Sequence, residues 1–478
     1  MIQFINLLFG VIISLFEALL DTISEFSVSA IPSKRKTKFT ADFLSSDSKC
    51  FPQKNGQGFC ITGTRSLSIE DSFSNALVIG GSGSGKSSRI LIPSILKMAG
   101  SSSLVIHDPS GELKEKTSGS GADNECIVKC INYSNPDLSE GYNPLYRVKS
   151  VSDIQKVSAL LIHTALGNSK DPFWNTAAMN LISVFIRLVV MYMEPEYRTL
   201  YNVFHVLNTF GFAPEKIDRL VIRTEDKSLI SDYKAFVAYD TKMLMSVVAT
   251  ARTALSIFSD PGVAKVTATD TINFEEFRQR QTILYINNSV ADMRYYTVIS
   301  SLFFDQFFAH IMHQLPDKKQ LPIFFLLDEA SSLYLNMATA ISNIRKYSSG
   351  ILQVYQHYEQ LVDLYGQAQA RNIAANCYAK VYMSGQSLET ARALEAELGS
   401  FEFADTDGIL RQRPLMTADE VIHLQDAIIL QGSAPPIKTP LVPYYEQKSL
   451  RKLTQIPPHQ LESKLSSSLP PVIDFDEE

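Results

Sequence analysis

The 478-residue sequence predicts an α/β fold: a doubly wound, mainly parallel sheet, interrupted by an all-α insertion and preceded by an N-terminal membrane helix. Three observations carry this. A glycine–serine loop, GGSGSGKSS, joins an apolar strand to a helix at residues 80–88. Short apolar runs of strand length recur on both sides of a long middle segment. That segment, from Val151 to about Phe274, has helical periodicity and no strong strand signal.

The elements follow in order. Residues 2–20, IQFINLLFGVIISLFEALL, would span about 28 Å as a helix, close to the thickness of a bilayer core. Lys34, Arg35, Lys36 and Lys38 follow and favour a cytoplasmic location for the bulk of the chain. Gln3, Asn6, Gly10, Ser14, Glu17 and Asp21 recur at steps of three and four, a single polar stripe on a helix. Three readings stand: a spanning helix whose stripe packs on a neighbour, a helix lying on the membrane surface, and a signal peptide. The last lacks a basic n-region and a small-residue cleavage site. Strands are expected at 59–69, 75–79, 102–107 and 126–131, then, beyond the insertion, at 282–286, 323–327, 350–355 and 379–383. The tail from about Ile456 is rich in Pro and Ser, ends in DFDEE, and is expected to be disordered. The domain layout is therefore a membrane helix at 1–30, a nucleotide-binding domain formed by 31–150 and 276–450, an all-α domain at 151–275 between those two segments, and an acidic tail at 451–478.

Composition narrows the function. A net charge of −6 argues against nucleic-acid binding by overall charge, so any such contact must be local. The five cysteines, Cys50, Cys60, Cys126, Cys130 and Cys377, have no zinc spacing and suit reduced thiols. Cys126 and Cys130 share a strand face, with no second ligand pair nearby.

The glycine–serine loop carries the chemistry. Gly80, Gly85, Lys86 and Ser87 complete the G-x-x-x-x-G-K-[ST] pattern, and the binding set is Gly80, Gly81, Ser82, Gly83, Ser84, Gly85, Lys86, Ser87 and Ser88. Glycines let the backbone curl so that its N–H groups face phosphate oxygens, and the helix that follows adds its positive end. Lys86 reaches the β and γ phosphates, and the Ser87 hydroxyl is a Mg²⁺ ligand. A second acidic element is required, and IFFLLDEASSL supplies it. The buried strand delivers Asp328 to its carboxyl end for Mg²⁺, and Glu329 is placed as general base toward water. Gln356 follows the strand GILQVY as a γ-phosphate sensor or a capping residue. Arg345, in NIRKYSSG, is an arginine finger toward a neighbouring subunit or a surface residue. MSGQS at 383–387 is only faintly like a transporter signature, and it follows the acidic strand where that signature would precede it. His310, His313 and Cys377 have no partners in a catalytic or metal pattern.

Beyond the loop, several blocks resemble the VirD4/TraG family of coupling proteins, membrane-anchored ATPases of conjugation and type IV secretion. VIHDPSGEL (105–113) is similar to the family's DPKGEL segment, with Ser110 in place of the usual lysine. YNPL (142–145), DPFW (171–174), TARTALSIFSDPGVAKVT (250–267), LLDEASSL, RKYSSGILQVYQHYEQLVDLYG (345–366), GQSLETARALEAELG (385–399) and RPLMTADEV (413–421) follow in the family's order. The resemblance covers about residues 55–440. It implies a RecA-like P-loop NTPase core with an all-α cap, a hexameric ring, and ATP with Mg²⁺. The implied partners are single-stranded DNA with its relaxase, or protein effectors, and type IV secretion channel components. The implied location is the bacterial inner membrane. It also implies catalytic roles for Lys86, Glu329, Gln356 and Arg345. The family usually has two spanning helices, whereas one candidate is visible here. Two alternatives share the motor or the docking role: a DNA pump of the FtsK or HerA type, and a nonhydrolytic receptor for which an intact Lys86 and Glu329 would be superfluous.

Overall fold

The structure is a computed structural model that describes residues 41–45, 52, 56–167, 171–288, 290–404, 407, 409–462 and 464–475. The expected membrane helix at 2–20 lies outside the described residues. Contacts divide the chain into two compact units, one of Leu388–Ile422 with residues up to Phe43, the other of Leu44–Ser387 with 423 onward.

The larger unit is built on a nine-stranded sheet. Its strands are β1 (Ala76–Ile79), β2 (Ser103–His107), β3 (Ile127–Ile131), β4 (Thr282–Ile286), β5 (Ile323–Leu327), β6 (Ser349–Tyr355), β7 (Ala379–Tyr382), β10 (Ala427–Gln431) and β11 (Ile437–Thr439), while β8 (Ser400–Ala404) and β9 (Leu410–Pro414) belong to the smaller unit. The order in the sheet is β11-β10-β7-β1-β6-β5-β2-β4-β3. β10 pairs antiparallel with both β11 and β7, and every other ladder in the sheet is parallel. Every residue of β1, β2, β5 and β6 is buried. Covered on both faces, these strands read as unbroken apolar runs without alternation, which is how parallel strands differ from half-exposed ones. β10 and β11 lie beyond the strands expected from sequence and give the sheet an antiparallel edge.

The strand expected at 59–69 does not join the sheet. Residues 58–67 pair with themselves: Gly58 N–H donates to Leu67 O, Ile61 N–H to Arg65 O, and Leu67 N–H to Phe59 O. Gly63, at φ +84°, turns the chain, and a Cβ there would stand 2.0 Å from Val442 O. The turn diverts an apolar, strand-like run into a local lid over the core, where Phe59 packs edge-on to Phe324 at 5.2 Å.

Between β3 and β4, from Val151 to Val266, the described chain runs through seven α-helices: Val151–Leu166, Pro172–Tyr192, Leu200–Phe212, Pro214–Arg223, Lys227–Val237, Thr241–Leu255 and Pro261–Val266. Six open on a side chain that accepts from the first-turn N–H groups: Ser150, Asp171, Thr199, Asp226, Asp240 and Asp260. In DPFW and SDPG, then, the Asp is a cap and the Pro fills the first helical position, where no N–H is needed. Among the described residues, Pro172–Tyr192 is the one helix long and apolar enough to cross a membrane. It packs instead against neighbouring helices of the same segment. Leu181, Ile182, Phe185, Ile186, Leu188 and Val189 on it are fully buried. Internal packing accounts for its apolar character.

The described part of the tail, residues 456–462 and 464–475, is held by contacts where its composition predicts disorder. Ile456 and Pro457 cross Gly119, where a Cβ would stand 2.1 Å from Pro457 O. His459 N–H then donates to Ser118 Oγ at 3.1 Å, and Lys464 pairs with the buried Glu140 at 2.6 Å. Asn202 binds the strap at both atoms of its amide: Nδ2 donates to Pro471 O at 2.9 Å and Oδ1 accepts from Ile473 N–H at 3.1 Å. Phe475 stacks on His205 with centroids 5.1 Å apart. The segment's composition is poor in apolar residues, but partners elsewhere satisfy its backbone, so it is ordered without a core of its own.

The smaller unit holds helix Leu388–Leu398, a hairpin of β8 and β9, and helix Ala418–Ile422. The sequence placed these residues inside the 276–450 segment of the nucleotide-binding domain.

Candidate active site

The parallel strands deliver their carboxyl ends to one edge. Along it, in the order β1, β6, β5, β2, stand the glycine–serine loop, Gln356, the pair Asp328–Glu329, and Asp108. Neighbouring strands lie ~4.8 Å apart, so the loop and the acidic pair, with β6 between them, are about 10 Å apart.

The loop curls as its glycines demand. Gly83 and Gly85 have φ of +76° and +83°, a conformation costly for other residues. A Cβ on Gly81 would stand 2.8 Å from Gly385 O, and Gly81 N–H donates to Ser384 O at 3.1 Å. The MSGQS segment therefore has a role that its sequence did not disclose: it backs the loop. Gln386 ties the two together by donating to Ile79 O and Met383 O at 3.0 and 2.6 Å. After Lys86 the first helical turn is wide, with Ile92 N–H bonded to Ser87 O. Lys86 Nζ donates to Gly80 O and Gly81 O at 2.7 and 3.1 Å. Burial lowers its pKa, and the charges of Glu329 and Asp328 oppose that shift. Ser84 Oγ is buried with no partner, a polar atom inside the loop left to a ligand.

Asp328 follows β5 directly. Burial pushes its carboxyl up to about 7, with Asp108 and Glu329 adding to the shift and Lys86 opposing it. His107 Nδ1–H donates to the backbone carbonyl of Asp328 at 2.8 Å, and burial holds this imidazole down at about 4, hence neutral. Glu329 sits in the left-handed region at φ +56°, a strained position for a non-glycine residue, of the kind found at functional sites. Its carboxylate accepts from Ser331 Oγ, from Gln356 Nε2 at 2.9 Å, and from Gln360 Nε2 at 3.4 Å. Gln360 Oε1 in turn accepts from Gln356 N–H at 2.8 Å. Glu329 is thus held by three side-chain donors.

Asp108, at the end of β2, is a member of this edge that no sequence motif assigns. Its carboxylate accepts from Lys114 N–H at 2.8 Å, Leu113 N–H at 3.3 Å and Ser110 Oγ at 3.4 Å, so it caps helix Glu112–Asp123 from outside. Burial raises it to about 6 against those donors. The available signal was the Asp-Pro that ends an apolar strand in VIHDPSGEL. Ser331 and Gln360 gave no signal of their own.

Asp328, Glu329, Gln356, Gln360, Ser110 and Arg294 line one cleft of about 690 Å³. Acidic groups outnumber the one lysine near Asp328, an electrostatic setting that a divalent cation relieves. The donor set of one hydroxyl, Ser87, and one carboxylate, Asp328, suits Mg²⁺, which takes few protein ligands and completes its shell with phosphates and water.

Arg345 does not join this cluster. It is exposed, in the turn Ile344–Tyr347 before β6. The seven residues of β6 separate that turn from Gln356, about 20 Å at the rise of a strand.

The family model for type IV secretory system conjugative DNA transfer matches residues 23–468. Protein VirD4 of Agrobacterium fabrum is 24% identical over 406 residues, covering 79% of this chain and 60% of that protein. The type IV secretion system-coupling protein VirD4 of Bartonella quintana is 22% identical over 404 residues, covering 77% and 62%. The chain therefore spans about three fifths of the length of these curated relatives. The plasmid coupling protein TrwB, solved with a non-hydrolysable GTP analogue, superposes with a TM-score of 0.69 at 18% identity, covering 87% of this chain and 96% of that one. TrwB solved with ADP and Mg²⁺ gives 0.68 at 17%. At such identity the likeness speaks for the fold alone.

Proposed function

The chain belongs to the type IV secretory system conjugative DNA transfer family, and we propose that it is a membrane-anchored, ATP-hydrolysing coupling protein. On this reading it assembles as a hexameric ring and passes DNA with its relaxase, or protein substrates, to a type IV secretion channel. One observation carries the catalytic part: Glu329 is held by Ser331, Gln356 and Gln360 on the same strand-end edge as the curled loop and Lys86.

The roles follow from that geometry. The N–H groups of Ser82, Gly83, Gly85, Lys86 and Ser87 donate to the phosphate oxygens. Lys86 leaves the carbonyls of Gly80 and Gly81 for the β and γ phosphates, exchanging two neutral acceptors for charged ones. Ser87 and Asp328 would hold Mg²⁺, which when bound neutralises charge developing on the phosphates. Glu329 takes a proton from the attacking water, a contribution of about 10²–10⁴-fold in rate. Gln356 links the base to β6, so that γ-phosphate loss is felt along that strand. Arg345 is exposed and remote from its own subunit's pocket, which suits action on the pocket of a neighbour. The seven helices from Val151 to Val266 form the cap that the substrate meets. Relatives and neighbours named as coupling proteins support the assignment.

The test is steady-state phosphate release by the full chain in lipid, with and without single-stranded DNA, for wild type and Lys86→Ala. Turnover in the wild type, stimulation by DNA and loss in the variant are expected. A wild type without turnover under every condition would leave only a receptor.

A further inference from the structure

Arg278 is a buried cation for which the catalytic site has no use. It lies in the short helix Glu276–Gln279 before β4 and is 7% exposed. Its guanidinium donates to Leu321 O at 2.9 Å, Ser348 O at 3.3 Å, Tyr347 O at 2.5 Å and Ser349 Oγ at 3.0 Å. Leu321 N–H returns a bond to Arg278 O at 3.0 Å. Among the described residues it makes no salt bridge. Burial lowers its pKa to about 10, with the nearby charge of Glu275 opposing that shift, so it stays charged at neutral pH.

A buried cation with no carboxylate in direct contact is costly, because neutral carbonyls replace its water incompletely. A planar fork with several donors is the group suited to gather carbonyls from separate segments. The carbonyls gathered are informative. Leu321 stands just before β5; Tyr347, Ser348 and Ser349 form the last turn into β6. That turn begins with Arg345: Ser348 N–H donates to Arg345 O at 3.1 Å, and Ser348 is left-handed at φ +49°. Three of the four bonds therefore fix the two to four residues after Arg345, whose own side chain is exposed.

We propose that Arg278 is a positioning residue for Arg345, holding its turn rigid against the sheet so that the exposed guanidinium meets the pocket of the neighbouring subunit. This rests on the reading of Arg345 as a residue acting in trans. A merely structural Arg278 would damage its own subunit's fold and pocket. A positioning Arg278 damages only what its subunit offers the neighbour.

Mixed rings separate these. Full-length Arg278→Lys keeps the charge but loses the fork. Alone, it should bind a fluorescent ATP analogue within about twofold of wild type and lose tenfold or more in turnover. Mixed one to one with Lys86→Ala, it should recover. Half of the subunits keep an intact pocket, and half of those receive an intact neighbour, so about a quarter of wild-type turnover returns in a random ring. Arg345→Ala mixed with Lys86→Ala is run in parallel and should recover to the same extent. If the Arg345 mixture recovers and the Arg278 mixture does not, or if Arg278→Lys alone turns over normally, the positioning role is overturned. If neither mixture recovers, the trans reading of Arg345 fails and the inference fails with it. Should Arg278→Lys lack a cooperative melt, Ser349→Ala removes one acceptor and leaves the guanidinium in place. It should show a smaller loss with the same recovery on mixing, and absence of that recovery overturns the proposal.

Discussion

Gln356→Ala tests how the candidate base is held. The side chain donates from Nε2 to Glu329 Oε2 at 2.9 Å. A hydrogen bond to a charged group contributes about 1.5–3 kcal/mol when buried. Both residues are half-buried, which brings the expected loss to about 1–2 kcal/mol. Since about 1.4 kcal/mol is tenfold in rate, turnover should fall about five- to thirtyfold. Ser331 and Gln360 still hold Oε1, so the base is loosened and not lost. The substitution leaves Lys86 and the backbone N–H groups of the loop in place, so nucleotide affinity should stay within about twofold. The assay is steady-state phosphate release beside equilibrium titration of a fluorescent ATP analogue. A turnover within twofold of wild type, or a loss of affinity equal to the loss of turnover, would refute a role in orienting Glu329.

Other outcomes follow from the fold. Gly119→Val places atoms where Pro457 O and Ile456 O now pass, so the strap from Ile456 should lift and become open to limited proteolysis, whereas the wild-type strap stays protected. Asn75→Ala leaves Ile341 O and Ile351 N–H without partners in a buried joint, and denaturant titration should show a loss of about 2–4 kcal/mol. Cys130 and Cys377, both pushed by burial to about 12, carry almost no thiolate at pH 8. Mass spectrometry after alkylation should find them unlabelled in the native protein and labelled in urea, and native labelling at pH 8 would contradict their burial.

The catalytic edge was largely legible because its chemistry lies in local patterns. GGSGSGKSS requires curled backbone at consecutive positions, and IFFLLDE announces a buried strand that ends in acid. The helical segment was legible through its periodicity, and its caps sit where the sequence allows them, with Asp171 and Asp260 each placed before a proline. What escaped depends on partners distant in sequence. Residues 59–69 read as a strand because their apolar character is the same whether they pair with the sheet or with themselves; Gly63 decides. The tail read as disordered because nothing within it shows that Asn202 waits to bind both sides of its backbone. The chemistry of Asp108 emerges only when β2 is laid beside β5. Gln360 belongs to the site solely through a helix turn that brings it next to Gln356.

The central claim, that Glu329 activates water against a triphosphate gripped by Lys86, is tested most directly by a single-turnover experiment on Glu329→Gln. Mixed with radiolabelled ATP and Mg²⁺ and quenched over time, the variant should retain intact ATP at wild-type affinity, with cleavage slowed by about 10²-fold or more. Cleavage at the wild-type rate would contradict it.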